Sequence, residues 1–434
     1  MRQTVAFLLA GGVGSRLNIL GWMRAKPAVP FGGCYRLIDF TMSNAMHSGV
    51  QQIGILTQYR PYSLMGHIGS GEAWDLIGRR RCAKILPPST GREDFDWYRG
   101  TADAVAQNLD FAVRYGAQRV LILSGDHIYK MDYAAMVEFH KQKKAAITIA
   151  MMRVAWEETH HFGIAQVDDE QRITAWEEKP AKAKSNLASM GVYVIDFEFL
   201  EKSLAGRRGH DFGKNIINDA IGVAPVYAYL FSGYWADVGT LKAYWQTNMD
   251  ILTPGSGLNL PEWGVRTNID DEGSLGDRPP AVVAPSAKIQ NALISAGCVI
   301  EGAVLNSVLS PGVHVAAGAV VRDAVIMHDV RIGAKAEVSS VIADKGVVFG
   351  PACRVGGPGP SEQPNEKYPD HLYSGLTLVG KKAVVPERIK IFRNSIVEPH
   401  TTPLSYGEYK PREGAYIRGA LPSEGKALGR PSSR

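Results

Sequence analysis

Between residues 283 and 335 the chain repeats a short pattern: Val283-Ala-Pro-Ser-Ala-Lys-Ile289, Ile294-Ser-Ala-Gly-Cys-Val-Ile300-Glu-Gly302, Pro311-Gly-Val-His-Val315 and Val330-Arg-Ile-Gly-Ala-Lys335. Each stretch sets an aliphatic residue against small residues and glycine. A six-residue period of this kind marks a parallel β-helix, in which each hexad forms one flat side and the aliphatics stack inward. The register is irregular at 304–330, so some coils are expected to carry loops. A Pro/Gly-rich insertion from Gly356 to His371 interrupts the pattern, and Ala383–Ile391 with Asn394–Pro399 resumes it. The β-helix is therefore expected over 283–402. The tail at 403–434, rich in Gly, Pro, Ser and basic residues, is expected to be flexible.

Residues 1–252 have a different texture. Short apolar runs alternate with amphipathic stretches, which predicts a βαβ domain with a mostly parallel sheet. The expected strands are Val5–Leu9, Ile53–Thr57, Val120–Ser124 and Ile147–Met152; the expected helices include Phe40–Ser48, Ala102–Tyr115 and Tyr133–Lys143. Residues 253–282, rich in Pro, Gly, Asp and Asn, read as a linker. Two domains suit 434 residues. The formal charge of +5 suits anionic small molecules, and no dense Lys/Arg block points to nucleic acid. Four cysteines without Cys-x-x-Cys spacing fit a reducing cytosol, and no apolar run is long enough to span a membrane, so a cytoplasmic location is expected.

The chemistry concentrates at expected strand ends, where open α/β sheets bind ligands. Val5-Ala-Phe-Leu-Leu-Ala-Gly-Gly-Val-Gly-Ser-Arg16 runs a strand into a cluster of Gly11, Gly12 and Gly14, and Met23-Arg-Ala-Lys-Pro-Ala-Val29 follows. Such a loop can wrap phosphates with its N–H groups, with Arg16 and Lys26 supplying charge. It lacks the Gly-Lys-Ser/Thr of a P-loop and misses the G-x-G-x-x-G spacing, and an ordinary strand-to-helix turn fits it equally well. Trp97-Tyr-Arg-Gly-Thr-Ala-Asp-Ala-Val105 opens a helix at Gly100-Thr101. Its first N–H groups are free for a phosphate or base edge, unless the helix is simply capped with Trp97 and Tyr98 packed inward. Asp126 in Leu123-Ser-Gly-Asp-His-Ile-Tyr129 suits Mg²⁺ beside phosphates, or else caps the next helix. Asp237 in Tyr234-Trp-Ala-Asp-Val-Gly-Thr240 offers a partner carboxylate. In Trp176-Glu-Glu-Lys-Pro180 a lysine follows an acid, a pairing that is commonly surface charge.

These motifs, in this order, resemble the sugar-phosphate nucleotidyltransferases. Arg-Ala-Lys-Pro-Ala-Val-Pro-Phe-Gly-Gly, Tyr35-Arg-Leu-Ile-Asp-Phe40, Tyr-Arg-Gly-Thr-Ala-Asp-Ala, Gly-Asp-His-Ile-Tyr and His210-Asp-Phe-Gly-Lys214 together favour the ADP-glucose-forming branch. The resemblance runs to about residue 400. It implies an α/β, Rossmann-like nucleotidyltransferase domain followed by a left-handed parallel β-helix. The implied reaction joins ATP and glucose 1-phosphate into ADP-glucose and pyrophosphate, the first committed step of glycogen-type α-glucan synthesis, with Mg²⁺. Gly11, Gly12, Gly14, Gln58, Trp97, Tyr98, Gly100 and Thr101 would meet the nucleotide. Glu178, Lys179, Ser189, Tyr193, Asp211, Phe212 and Trp235 would meet the sugar phosphate, with Lys179 holding the nucleophile. Asp126 and Asp237 would hold the metal, and Arg16 and Lys26 would stabilise the departing pyrophosphate. A homotetramer answering to sugar-phosphate or other small-metabolite effectors is implied as well.

The sequence departs from the pattern in places. Asn18-Ile-Leu-Gly-Trp22 replaces a common Pro-Leu-Thr segment, the stretch 181–187 is short, and Val13 and Met23 stand where some members carry basic residues for a sugar-phosphate activator. These departures bear on a standard fructose-bisphosphate response and not on catalysis. Alternatives are a catalytically silent regulatory paralogue, a nucleotidyltransferase using another nucleotide, and acyl transfer through His314 or His328 on the coils.

Overall fold

A computed structural model describes residues 1–12, 14–88, 97–205, 210–269, 278–357 and 363–419. Val13, one of the two positions where some members of the resembled family carry basic residues, lies outside them. The first domain is built on a nine-stranded sheet. Its middle is parallel: Thr4–Leu9 lies between Gln52–Leu56 and Arg119–Ser124, and Cys82–Leu86 follows Gln52–Leu56. Alternate residues of the first strand feed two cores. Val5 and Phe7 pack with Phe111, whereas Ala6 and Leu8 pack with Ile38 and Met42. A strand covered on both faces reads as an unbroken apolar run, which is why Val5–Leu9 shows no alternation.

Beyond Arg119–Ser124 the sheet becomes mixed. Leu187–Asp196 pairs antiparallel with that strand and with Ile147–Arg153. Gly163–Val167 and Ile173–Glu178 extend one side antiparallel, and Val226–Leu230 runs parallel to Ile147–Arg153. The expected helix Ala102–Tyr115 is two helices, Thr101–Ala106 and Leu109–Arg114. Asn108 breaks it, its amide donating to the Tyr98 hydroxyl and to the Ala104 carbonyl, both at 2.9 Å. Asparagine competes with helix backbone in this way.

The second domain is a stack of parallel coils. One face runs Val282–Val283, Val299–Ile300, His314–Val315, Arg331–Ile332, Val348–Phe349 and Val384–Val385, each paired in register with the next. The hexad aliphatics Ile300, Val315, Val330 and Ile332 are buried along the axis. No loop leaves the stack at 304–330: strands Ala303–Leu309, Val320–Arg322 and Val325–Ile326 pair directly with neighbouring coils. Nor does the chain leave the stack at 403. A short helix at Pro403–Tyr406 returns it to strand Tyr416–Ile417, which pairs with Ile396–Val397. Residues 420–434 of the expected tail lie outside the described residues.

The domains share one apolar core. Leu17, Ile19, Leu20, Phe31 and Tyr244 cluster with Val308, Val325, Met327, Ile342 and Leu378 of the coils. Trp245 adds a hydrogen bond from its indole to the Asp323 carbonyl at 2.8 Å. The described part of the expected linker is itself packed, with Leu258, Leu260 and Trp263 buried in this cluster.

Candidate active site

A cavity of about 440 Å³ opens at the carboxyl ends of the parallel strands. Gly11, Gly12, Gln58, Tyr98, Gly100, Thr101 and Asp126 line it, together with Tyr59, Ser124 and Arg99. Gly14 lies just behind: its φ is +63°, and a Cβ there would stand 3.1 Å from the Lys26 Cβ, so the loop turns sharply against the lysine. Gln58 is locked rather than free. Its carbonyl accepts from the Tyr98 N–H at 2.7 Å, which ties the end of one strand to the Trp97–Thr101 segment.

Two sequence readings at this wall are corrected. The N–H groups of Ala102 and Asp103 at the start of the Thr101 helix are not open to a ligand, because they donate to the His210 carbonyl at 2.9 and 3.3 Å. Trp97 is not in the core. It is 55% exposed and stacks on Tyr59, ring centroids 5.3 Å apart, whereas Tyr98 is buried with its hydroxyl on the Leu86 carbonyl at 2.9 Å.

The two aspartates are brought together by a two-stranded ribbon. His127–Tyr129 pairs antiparallel with Trp235–Asp237, setting Asp237 opposite His127. The Lys26 ammonium lies 2.6 Å from an Asp126 oxygen and 3.5 Å from one of Asp237. The His127 Nε2 lies 3.6 and 3.8 Å from the same two carboxylates, and the Ser124 hydroxyl donates to Asp126. Burial alone would lower the Lys26 pKa, but the charges of Asp126 and Asp237 outweigh it and hold it above its usual value. Burial would likewise raise the Asp126 pKa, and the Lys26 charge overrides it and holds the carboxyl well below the carboxylate range. Arg16 reaches the other side of the ribbon, its Nη2 3.0 Å from where a Cβ at Gly239 would sit, beside Asp237. Asp126 does not cap the next helix; Asp132 does, accepting from the Ala134 N–H at 2.8 Å.

The charge balance tests whether a divalent metal fits here. Two carboxylates share one ammonium, so the position between them already selects a cation, and Mg²⁺ takes one or two carboxylates plus phosphates. Among the described residues no cluster of three or more His, Cys, Asp or Glu side chains is arranged to hold a metal. The set therefore fits a metal completed by substrate oxygens, not a closed protein cage.

The residues expected on the sugar side lie on neighbouring elements. Glu178 ends strand Ile173–Glu178, and a Cβ at Gly213 would stand 3.0 Å from its carboxyl carbon. Burial and then the Asp211 charge raise the Glu178 pKa. Lys179 is exposed at φ +49°, its N–H donating to the Phe162 carbonyl at 3.0 Å. Tyr193 and Phe212 face each other at 5.8 Å, burial pushes the Tyr193 hydroxyl up to about 12, and the Ser189 hydroxyl accepts from the Gly191 N–H at 3.2 Å. Asp211 accepts from the Lys214 N–H at 3.1 Å. The Phe212 N–H donates to the Thr101 hydroxyl at 3.2 Å, which joins these residues to the cavity wall. Trp235 packs between His127 and Phe162, with ring centroids 5.4 and 5.3 Å away, and so bridges the aspartate ribbon and the Lys179 turn. Tyr59, Ser124 and the His210 carbonyl were not singled out by sequence. Only Tyr59, an aromatic directly after Gln58 at a strand end, left a usable signal. His314, half-exposed beside Glu301 at 3.7 Å, and His328, buried, sit on coils of the second domain and not on the elements that build this site.

A nucleotidyl transferase family model matches residues 5–254, and a GlmU-like C-terminal hexapeptide model matches residues 281–379. The glucose-1-phosphate adenylyltransferase of Acetivibrio thermocellus is 42% identical over 410 residues, covering 92% of this chain and 94% of that protein. The enzyme of the same name from Thermotoga maritima is 43% identical over 427 residues, covering 96% and 99%. That from Desulforamulus reducens is 44% identical over 363 residues, covering 82% and 90%. No helix among the described residues is long and apolar enough to cross a membrane.

Proposed function

Since the chain belongs to the nucleotidyl transferase family and matches glucose-1-phosphate adenylyltransferases along most of its length, we propose that it transfers the adenylyl group of ATP to α-D-glucose 1-phosphate, giving ADP-glucose and pyrophosphate. The observation that carries the chemistry is the pairing of Asp126 and Asp237 around the Lys26 ammonium, at the edge of a glycine-lined cavity.

ATP enters that cavity, with its base against Gln58 and the Trp97–Thr101 segment and its phosphates over Gly11, Gly12 and Gly14. Glucose 1-phosphate lies on a second wall, Lys179 on its phosphate and Glu178 accepting from its hydroxyls. Ser189, Tyr193, Asp211 and Phe212 complete that wall, and Trp235 supports it. A phosphate oxygen of the sugar phosphate attacks the α-phosphorus in line. The new P–O bond forms as the α–β bridging bond breaks, and pyrophosphate leaves with the electron pair beside Arg16 and Lys26. Such a reaction asks for positioning and charge neutralisation more than covalent help. Nucleotidyl transferases of this family work with a divalent metal; here Mg²⁺ on Asp126 and Asp237 would neutralise phosphate charge.

Pyrophosphate release with glucose 1-phosphate and Mg²⁺, comparing ATP with UTP, dTTP, CTP and GTP, tests the reading. ATP is expected to be preferred, and Asp126→Asn is expected to lose about a hundredfold or more in kcat, roughly 3 kcal/mol. A silent protein, or an Asp126→Asn enzyme at the wild-type rate, would refute it. The reading includes a homotetramer answering to small-metabolite effectors. The exposed Val282, Val283 and Ile289 on the first coil offer apolar surface for such assembly, and sedimentation of the purified chain checks it.

A further inference from the structure

Residues 17–25 join the two cations placed at the departing pyrophosphate, Arg16 and Lys26, and this strap is fastened to the β-helix at three points. Leu17, Ile19 and Leu20 are buried against coil residues that include Met327 and Ile342. Asn18, with φ +51° and ψ −130°, accepts from the Ile19 N–H at 2.8 Å and lies 3.3 Å from the His371 ring through its amide nitrogen. Arg24 meets Asp344 at 2.8 Å, with the two side chains 3% and 0% exposed.

The third point does most to fix geometry. Asp344 follows strand Val341–Ala343, which pairs with coils on both sides, and its own N–H donates to the Val379 carbonyl at 2.9 Å. The same carboxylate oxygen that meets Arg24 also accepts from the Lys345 N–H at 2.7 Å. A buried ion pair is weak evidence for stability, because desolvation cancels much of its attraction. The surrounding apolar cluster already joins the domains. What the pair adds is direction, since a guanidinium denied water has to lie where its carboxylate is. Ala25 alone separates Arg24 from Lys26, whose ammonium has to lie within hydrogen-bond reach of Asp126.

We propose that Asp344 of the β-helix is a positioning residue for adenylyl transfer, holding the Arg24–Lys26 end of the strap so that Lys26 meets the reacting phosphates. The second domain then completes the active site of the first. The inference rests on the reading of Lys26 as a group of the reaction.

The test compares Asp344→Asn with Trp245→Phe in the full chain. Trp245→Phe removes an equally interfacial hydrogen bond but lies off the strap. Asp344→Asn is expected to lower kcat about tenfold or more, the scale on which misplacement of a reacting group costs rate. Its KM for glucose 1-phosphate, bound at Glu178 and Lys179, stays within about twofold of wild type on the same argument. Trp245→Phe lowers the melting temperature and leaves kcat intact. A wild-type kcat in Asp344→Asn overturns the proposal, as does an equal loss in Trp245→Phe, which would reveal general loosening of the interface. Should Asp344→Asn not fold, Arg24→Gln, which removes the other half of the same buried pair, carries the test. It is expected to lower kcat with KM unchanged, and an unchanged kcat overturns the proposal. Lys26→Met separates the two levels: full activity there removes the reading of Lys26 itself, whereas an inactive Lys26→Met beside a normal Asp344→Asn removes only the role of Asp344.

Discussion

Gly100→Ala adds one methyl group where the two proposed substrate walls meet. Gly100 has φ 178°, so its backbone tolerates any residue and the whole effect comes from space. The new Cβ would stand 2.8 Å from the His210 carbonyl carbon and closer still to its oxygen, with the His210 Cβ at 3.1 Å. Ordinary carbon contacts lie near 3.5–4.0 Å, so the two backbones have to part by roughly 1 Å. That movement strains two hydrogen bonds, since the displaced carbonyl accepts from the Ala102 and Asp103 N–H groups. Overpacking costs about 1–3 kcal/mol, and a weakened buried backbone bond adds about 1 kcal/mol more. The total of about 2–4 kcal/mol corresponds to a melting temperature lowered by roughly 4–16 °C for a domain of this size. The kinetic effect should fall on both substrates, because the Thr101 hydroxyl holds the Phe212 N–H of the sugar wall. A shift of roughly 1 Å is worth about a hundredfold in kcat/KM. Pyrophosphate release, titrated in ATP and then in glucose 1-phosphate, with a thermal melt on the same preparation, reads all three quantities. A Gly100→Ala enzyme with wild-type kcat/KM for either substrate refutes the view that this contact sets both walls.

Glu178 supplies a pH prediction. Burial and the Asp211 charge raise its folded pKa, so it keeps its proton to a higher pH than an ordinary glutamate. If the carboxylate accepts from the sugar, KM for glucose 1-phosphate should rise as pH falls through that raised value, and Glu178→Gln should lack this limb. The sign for stability is opposite to that of a paired acid. Ionisation costs the folded state as pH rises from the unfolded value toward the raised one, so Glu178→Gln should melt no lower than wild type at neutral pH. A lower melting temperature would contradict the raised pKa. Trp97→Ala, at an exposed ring, should leave the melting temperature nearly unchanged and raise KM for ATP about two- to tenfold, the value of one aromatic stacking contact. An unaltered KM for ATP would place the base away from Trp97.

Much of the candidate site was legible because its residues sit in contiguous segments at strand ends. Gly11, Gly12, Gln58, Gly100, Thr101 and Asp126 all line the cavity, since consecutive parallel strands deliver their carboxyl ends to one edge. Contacts between segments distant in sequence were less visible. The His210 carbonyl took the Ala102 and Asp103 N–H groups that local pattern left open. Trp97 stacks on Tyr59 at the surface and not in the core. Neither partner leaves a mark in the sequence near the residue it changes.

The sequence by itself determined two textures, βαβ alternation and inward-stacking hexads, because burial on two faces and a six-residue coil each impose a local period that side chains have to obey. It also determined which glycines, carboxylates and cations stood at the strand ends of the candidate site. Tertiary structure alone decided how those residues combine. The ribbon of His127–Tyr129 with Trp235–Asp237 placed the two aspartates around one lysine. The coil at Asp344 took Arg24 out of water and joined the domains through the strap that carries the lysine. Periodicity records how one element meets its own core; a pairing across hundreds of residues depends on where two finished elements come to rest, and no local period encodes that.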